Sequence, residues 1–490
     1  MKQERFLEKA EQLRPKLIEK ENVLECDRLL NRGDTVMYDF GDHFVGYLSF
    51  EFERVGPYPD SPLQLHLDFF ESPEEFEEDP NAINGWMSGS WVPEERIHID
   101  DVPGVHTLPR RYAFRYLRIR VMQHSGGYTV RLKRLILKSV SSADETRLLP
   151  FPGREEDRKL DKVAVRTLHE CMQTVFEDGP KRDRRLWLGD LRLQAIANYA
   201  TYRNYDLVKR CLYLFAGDTM EDGQVVADVF CQARIVRDDI RMTDYSLFFI
   251  STLWDYYEAT GDLETLRELA PTAYHQYELV AAHMTQGHIM DEEKVNQCFV
   301  DWSGLEEKQS AAQAIYVYTL KDLVKIQKVL GQDSAQVEEE IRAKSEAAWR
   351  WFSKKRGVFL GGDKGTLSWA SQIWMILAGI VTPEQGKAIL EAIEKCPEAT
   401  RAATPYLYHH YIQALVNCGE KEKAYKKMKE YWGGMLDKGA DTFWEIYDPQ
   451  KPDISPYGGK ILHSYCHAWS CTPTYFLRTY FREDGADGAV

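Results

Sequence analysis

The sequence predicts two architectures in one chain: a β-sandwich, jelly-roll-like, over residues 1–150, then a mainly α domain over 151–490 folded as an (α/α)6 barrel. Three observations predict this. Residues 35–140 alternate apolar and polar positions with a period of two. Beyond residue 160 the apolar period becomes helical. Between them, SSADETRLLPFPGREEDRK (141–159) is polar, carries two prolines and fits a linker.

Each element follows from local pattern. Residues 1–30 read as a helical lead-in. TVMYDFGDHFVGYLSFEFE and RRYAFRYLRIRVMQ read as antiparallel strands, the second with Tyr112, Phe114 and Tyr116 on one face. GGYTVRLKRLILKSV reads as another strand, with a slip of phase near Lys133 such as a bulge gives. Trp86 and Trp91 read equally as exposed aromatics open to glycan contact or as sandwich core. Twelve amphipathic segments follow, beginning near Leu160, Asp190, Tyr205, Thr243, Leu263, Glu307, Ser334, Ser368, Pro383, Pro405, Glu420 and Leu462. In ATGDLETLRELAP a glycine closes one helix and Asp262 caps the next. Twelve helices in antiparallel pairs make six hairpins. An open solenoid is the alternative, but no fixed repeat is present. In a closed barrel the loops at one end converge on a central pit, where chemistry is expected.

Composition narrows the function classes. Over 490 residues the net charge is −15. That disfavours a nucleic-acid or anionic-membrane surface, which needs concentrated Lys and Arg. The N-terminal MKQERFLEKAEQLRPK lacks the apolar core of a secretory signal. The longest apolar stretch, IWMILAGIV, is too short to span a bilayer. Nine scattered cysteines without a CxxC pair read as reduced, cytoplasmic thiols. No phosphate loop, dinucleotide fingerprint or GxSxG elbow is present, so no cofactor is expected. Homo-oligomerisation stays open.

The densest chemistry lies in DGPKRDRRLWLGD (178–190). Seven ionisable side chains, Asp178, Asp183 and Asp190 among them, surround Leu186, Trp187 and Leu188. The stretch falls between the first two helices of the α domain, so it feeds the pit. Two further acidic-aromatic clusters, FVDWSG (299–304) and DTFWEIYD (441–448), precede later helices. Sugars ask for this mixture: carboxylates accept from hydroxyls, and aromatic planes cover the apolar ring face. Glycoside hydrolysis commonly needs two carboxyl groups flanking the bond, one protonated and one ionised. Asp183 and Glu445, from the first and last hairpins, form a plausible pair. Asp178 and Asp190 would raise the pKa of Asp183, whereas Arg182 and Arg184 would lower it. The competing reading is a structural, salt-bridged loop. His463 and His467 stand four apart in KILHSYCHAWS and would share a helix face. No Glu follows the first, as a HExxH zinc site would require, so a polar lining or core role is favoured over metal binding. The adjacent His409 and His410 read as one buried and one exposed.

DGPKRDRRLWLGD resembles the signature loop of the α-L-rhamnosidases of glycoside hydrolase family 78. MTDYSLFFISTLWDYYEATGD, FVDWSG, TFWEIYD and CHAWSCTPTYFL resemble that family's later motifs in the right order across 160–482. The sheet-rich region resembles its accessory β-domains. The resemblance implies a general acid at Asp183 and a general base at Glu445 that activates water, giving inversion. It implies that Asp178 and Asp190 hold sugar hydroxyls, and that Trp187, Asp301, Trp302, Trp444 and His467 line the subsite. Arg182 belongs with these substrate-binding candidates. The loop is one residue shorter than the common form, with Asp183 where Glu is usual. On this reading the C-terminal β-domain common in the family is not expected after the barrel. The leading expectation is an inverting exo-glycosidase acting on terminal α-L-rhamnose, or a related deoxysugar, of small imported glycosides. The alternatives are a glycosidase of this barrel type for another sugar, and a non-catalytic carbohydrate-binding protein.

Overall fold

The computed structural model describes residues 2–79, 82–451 and 454–482. Residues 483–490, assigned above to the α domain, lie outside the described residues.

The alternating N-terminal pattern folds as one antiparallel sheet. Its strands are β1 (Ile18–Leu30), β2 (Thr35–Val55), β3 (Leu63–Phe70), β4 (Glu94–Ile99), β5 (Gly104–Thr107), β6 (Tyr112–Gln123) and β7 (Thr129–Ser141). They run in the order β1-β7-β2-β6-β3-β4, with β5 also on β2. The long β2 joins the two halves: Thr35 to Gly46 pair with β6, and Gly46 to Val55 pair with β7. Gly46 is required at this changeover, because a Cβ there would lie 2.3 Å from the Lys138 carbonyl oxygen. Leu48, Phe50, Leu65, Leu67, Leu117, Ile119, Leu135 and Leu137 meet in one core, drawn from both halves of the sheet.

The phase slip read at Lys133 is a bulge. Glu51 pairs with Arg134 but Phe52 pairs with Leu132, leaving Lys133 unopposed. Val130 and Leu132 are therefore buried in one phase, Leu135 and Leu137 in the other. The helical lead-in is corrected in part. Helix α1 (Lys2–Gln12) exists, but residues 18–30 form β1, an edge strand on β7. Its outer positions carry polar residues, so its composition lacks the apolar alternation of a covered strand. Helix α1 also packs away from the sheet: Phe6 meets the Tyr213 ring at 5.7 Å, and Lys9 pairs with Glu268.

The helical region holds α2 (Arg158–Cys171), α3 (Leu188–Tyr199), α4 (Tyr205–Gly217), α5 (Thr243–Thr260), α6 (Leu263–Ala281), α7 (Glu292–Asn296), α8 (Gln309–Val329), α9 (Ala335–Ala348), α10 (Trp369–Leu377), α11 (Pro383–Glu394), α12 (Pro405–Asn417), α13 (Lys421–Asp437) and α14 (Pro473–Thr479). Eleven of the twelve predicted segments begin within about two residues of a helix, the usual tolerance for helix ends. The Gly-Asp boundary behaves as read: Gly261 ends α5 in the left-handed region, and the Asp262 carboxylate accepts from Thr265 N–H at 3.0 Å. The twelfth segment differs. Residues 463–467 are non-helical, between 3₁₀ turns at Lys460–Leu462 and Ala468–Ser470, and the helix begins only at Pro473. His463 and His467 therefore share no helix face. The physical reason is that this segment bonds to distant chain: Ser464 O accepts from Glu445 N–H, and Ala468 N–H reaches Asp178 O.

Successive inner helices pack as neighbours, α3 on α5, α5 on α8, α8 on α10 and α10 on α12. The turn at Ala468–Ser470 touches both α12 and α3, so the series returns to its start. Arg478 of α14 grips Asp161 of α2 through two parallel bonds of 2.8 and 2.7 Å, joining last hairpin to first. This is a six-hairpin domain of the α/α-barrel type. His409 and His410, read as one buried and one exposed, are both buried.

Candidate active site

The loop 178–190 leaves α2 and enters α3 through a short strand, β8 (Arg185–Trp187), which pairs with β9 (Asp228–Phe230), itself paired with β10 (Val236–Arg237). Asp178 shapes it. One carboxylate oxygen accepts from Asp183 N–H and the other from Arg185 N–H, both at 3.1 Å. Gly179 permits the tight return, since a Cβ would sit 2.4 Å from the Arg182 carbonyl. These bonds engage Asp178, a hydroxyl-binding candidate, in folding the loop.

The loop's cations each take a separate direction. Lys181 is buried between Glu75 at 2.9 Å and Glu71 at 3.3 Å, two carboxylates of the sheet domain. Arg185 reaches Asp238 at 3.1 Å and Asp228 at 3.5 Å. Arg182, a substrate-contact candidate, is buried. Its Nε donates to Leu462 O at 2.7 Å, its Nη1 lies 3.4 Å from Asp183, and its Nη2 bonds Glu445. Its plane lies over the Tyr457 ring, 4.1 Å from the centroid. Glu445 also accepts from Tyr457 O–H and, at 3.3 Å, from Ser464 N–H. One guanidinium thus brings together Asp183 and Glu445.

The two carboxylates differ in setting. Asp183 keeps 15% of its side chain exposed against 5% for Glu445, and only Arg182 bonds its carboxyl among the described contacts. Burial raises the Asp183 pKa, and Glu445 adds to this; Arg182 and Arg185 oppose it. Behind this pair lie buried acids. Burial, then Asp183, pushes Asp178 up. Burial, then Asp178 and Glu445, pushes Asp190 well above the usual carboxylate range. His467 is held neutral by burial and by Arg182. It stands 3.7 Å from Asp190 and 3.9 Å from Asp178, beyond hydrogen-bond reach. Asp190 Oδ1 and His467 Nδ1 have no protein partner.

The aromatics divide. Trp187 stands edge-on to Tyr245 at 6.3 Å. Trp302 is 38% exposed and meets Tyr457 at 6.2 Å. Asp301 turns away from it, accepting from Thr404 O–H at 2.5 Å and Ala403 N–H at 2.9 Å at the start of α12. Trp444 packs on Tyr447 and Tyr465, rings other than those around Trp302.

Sequence reasoning missed three participants. Asp228 is fully buried, both its oxygens lack hydrogen-bond partners, and burial with Asp238 pushes its pKa up to about 8. A lone Asp inside the apolar run VVADVF was the available signal. Tyr457 had no local signal. Trp86, for which exposure and core were both open, is 67% exposed, and its reach to the helical domain had no local signal: its N–H donates to Pro456 O at 3.1 Å, and its ring stands 6.4 Å from Trp302 and 5.8 Å from Tyr457. Trp91 packs in the cluster of Phe70, Tyr457 and Leu462. Elsewhere, His66, Asp68 and Glu94 converge as metal ligands would. Arg118 and Arg120 already neutralise Asp68, each at 2.9 Å, which leaves little charge for a cation.

Paired carboxylates and indoles gathered in a six-hairpin domain are the mixture that carbohydrates ask for. Residues 6–139 match the glycosyl hydrolase family 78 alpha-rhamnosidase N-terminal domain. Residues 156–481 match the bacterial alpha-L-rhamnosidase six-hairpin glycosidase domain. The chain belongs to the α-L-rhamnosidases of glycoside hydrolase family 78. It is similar to a Klebsiella oxytoca rhamnosidase solved with rhamnose bound, at 41% identity and a TM-score of 0.93, covering 97% of this chain and 98% of that one. A family 78 rhamnosidase of Bacillus sp. GL1 shares the fold at 19% identity and TM-score 0.77, covering 92% of this chain and 47% of that one. A Streptomyces avermitilis α-L-rhamnosidase complexed with L-rhamnose does so at 16% and 0.68, covering 95% and 44%. No curated protein matches the sequence.

Proposed function

We propose that the protein is an inverting exo-glycosidase that removes terminal α-L-rhamnose, or a related deoxysugar, from small glycosides or oligosaccharides. Asp183 is the general acid and protonates the departing glycosidic oxygen. Glu445 is the general base and takes a proton from water as that water attacks the anomeric carbon from the opposite face. The C–O bond to the leaving group breaks with its electrons on the protonated oxygen, and a C–OH bond forms with inversion.

The observation that carries this reading is the shared guanidinium of Arg182, which contacts both carboxyl groups. The pair differs as the chemistry asks. Burial favours the protonated form of Asp183, whereas Arg182 supplies a counter-charge to Glu445. The grip on Glu445 does not exclude catalysis. An ionised carboxylate offers about four acceptor positions; Arg182, Tyr457 and Ser464 take three. One remains for the water.

Asp190 Oδ1 and His467 Nδ1, which make no hydrogen bond within the protein, support sugar-hydroxyl binding at the floor. Trp187 and Trp302 cover the ring face, and Trp86 extends that wall toward the leaving group. The same reading divides the chain into a sheet domain over 1–150 and a glycosidase domain over 151–490, the sheet folded over as a sandwich and the hairpins closed as a barrel. Hydrolysis of an aryl α-L-rhamnoside by the purified chain tests the reading. Binding of rhamnose without hydrolysis would leave a carbohydrate-binding protein instead.

A further inference from the structure

The pit is built from the N-terminal ends of the inner helices: Asp190 opens α3, Tyr245 opens α5 and Tyr406 opens α12. Further along the same helices, with α8 and α14, lies a separate cavity of about 800 Å³. Its wall includes Arg192 and Tyr199 of α3, Trp254 and Asp255 of α5, Tyr318 of α8 and His409 of α12. Asp183 and Glu445 take no part in it. We propose that this second cavity is a binding site for a small neutral polyhydroxylated molecule of monosaccharide size. The inference stands apart from the hydrolytic reading, because no residue of the wall belongs to the acid–base pair.

Three features carry it. First, buried polar atoms wait without partners: the donors Tyr199 O–H and Trp254 Nε1–H, and the His409 Nδ1 ring nitrogen, make no hydrogen bond within the protein. His409 is only 4% exposed, so leaving its Nδ1 without a hydrogen-bond partner is costly. Second, the wall carries both signs, Arg192, Arg203, Lys325, Arg478 and Arg482 with Asp255, Glu258 and Asp322, and ion pairs within the protein already engage Arg192, Lys325 and Arg478. Arg192 donates to Asp255 at 2.9 Å and to Tyr318 at 2.5 Å; Lys325 donates to Asp322 at 2.8 Å. A cationic ligand would meet Arg192 and Lys325, and an anionic one Asp255 and Asp322. A neutral ligand with hydroxyls uses both the free donors and the carboxylate acceptors. Third, indole and phenol rings supply flat apolar faces beside those polar groups. The volume falls within the range of small-molecule sites, roughly 300–1,000 Å³.

The test uses the whole chain and two probes, L-rhamnose and D-glucose, each measured by equilibrium dialysis. Asp190→Asn weakens binding in the pit and isolates the second site. At least one sugar is then expected to bind with a stoichiometry near one. Trp254→Phe and Asp255→Asn are each expected to weaken that binding about ten-fold or more, while kcat/KM for an aryl α-L-rhamnoside stays within about two-fold in an otherwise wild-type chain. Asp255→Asn disturbs an ion pair, so Trp254→Phe, which keeps an aromatic ring, decides the matter should the former fail to fold. No binding of either sugar outside the pit, or binding indifferent to Trp254→Phe, overturns the proposal.

Discussion

Asp183 and Glu445, from opposite ends of the helical domain, take opposite Nη atoms of the single Arg182 guanidinium. A planar fork of fixed size therefore sets the gap between the two groups, and the rigid contact of Arg182 with Tyr457 and Leu462 fixes the fork.

Removing either carboxyl function should abolish most catalysis, in different ways. Asp183→Asn is expected to lower kcat by about 10²–10⁴-fold. The loss should be smallest for rhamnosides with acidic phenol leaving groups, which need little protonation. Glu445→Gln should lose a similar factor for all leaving groups. Steady-state kinetics over a series of aryl rhamnosides checks both; equal losses in the two variants across the series would reverse or cancel the assignment.

The pH profile should respond to Arg185. The acid acts only while protonated, so the rate falls as pH rises through the Asp183 pKa. Arg185 favours the ionised form of Asp183. Arg185→Met removes that charge, raises the Asp183 pKa and should move the alkaline limb of kcat/KM to higher pH. A limb that stays in place or moves down would exclude Asp183 as the group it reports.

Stability should carry the signature of Glu75. Lys181 is shared by two buried carboxylates. Glu71 also has His43 and Tyr465 N–H, which together with Lys181 outweigh its burial and hold its pKa down. Glu75 is pushed up from 4.5 to about 8, chiefly by burial. The folded chain then holds a proton that the unfolded chain releases. Its contribution is fully present below about pH 4.5 and is lost as pH rises through about 8. Glu75→Gln cannot titrate and should flatten the fall of the thermal midpoint over that window. An unchanged slope would refute the assignment.

What the sequence made legible is what local pattern encodes. Helix starts, the Asp262 cap and the Lys133 bulge depend on neighbours within a few residues, and all but the start near Leu462 lie where the pattern puts them. The acidic-aromatic motifs were legible because residue type alone limits their chemistry. Contacts between distant segments were not. β1 forms because β7 offers a ladder, not because its own alternation demands it. Residues 463–467 stay non-helical because Glu445 and Phe443 bond them. Lys181 is a bridge to the sheet domain only once Glu71 and Glu75 are beside it, and Tyr457 and Asp228 acquire meaning only beside Glu445 and Arg185.

The most direct measurement is the anomeric form of the first-formed product, followed by proton NMR as an aryl α-L-rhamnoside is hydrolysed by fresh enzyme. A water held between Asp183 and Glu445 predicts β-L-rhamnose first, with the α form appearing only by mutarotation. Initial release of α-L-rhamnose would mean a retaining route through a covalent intermediate and would contradict the account.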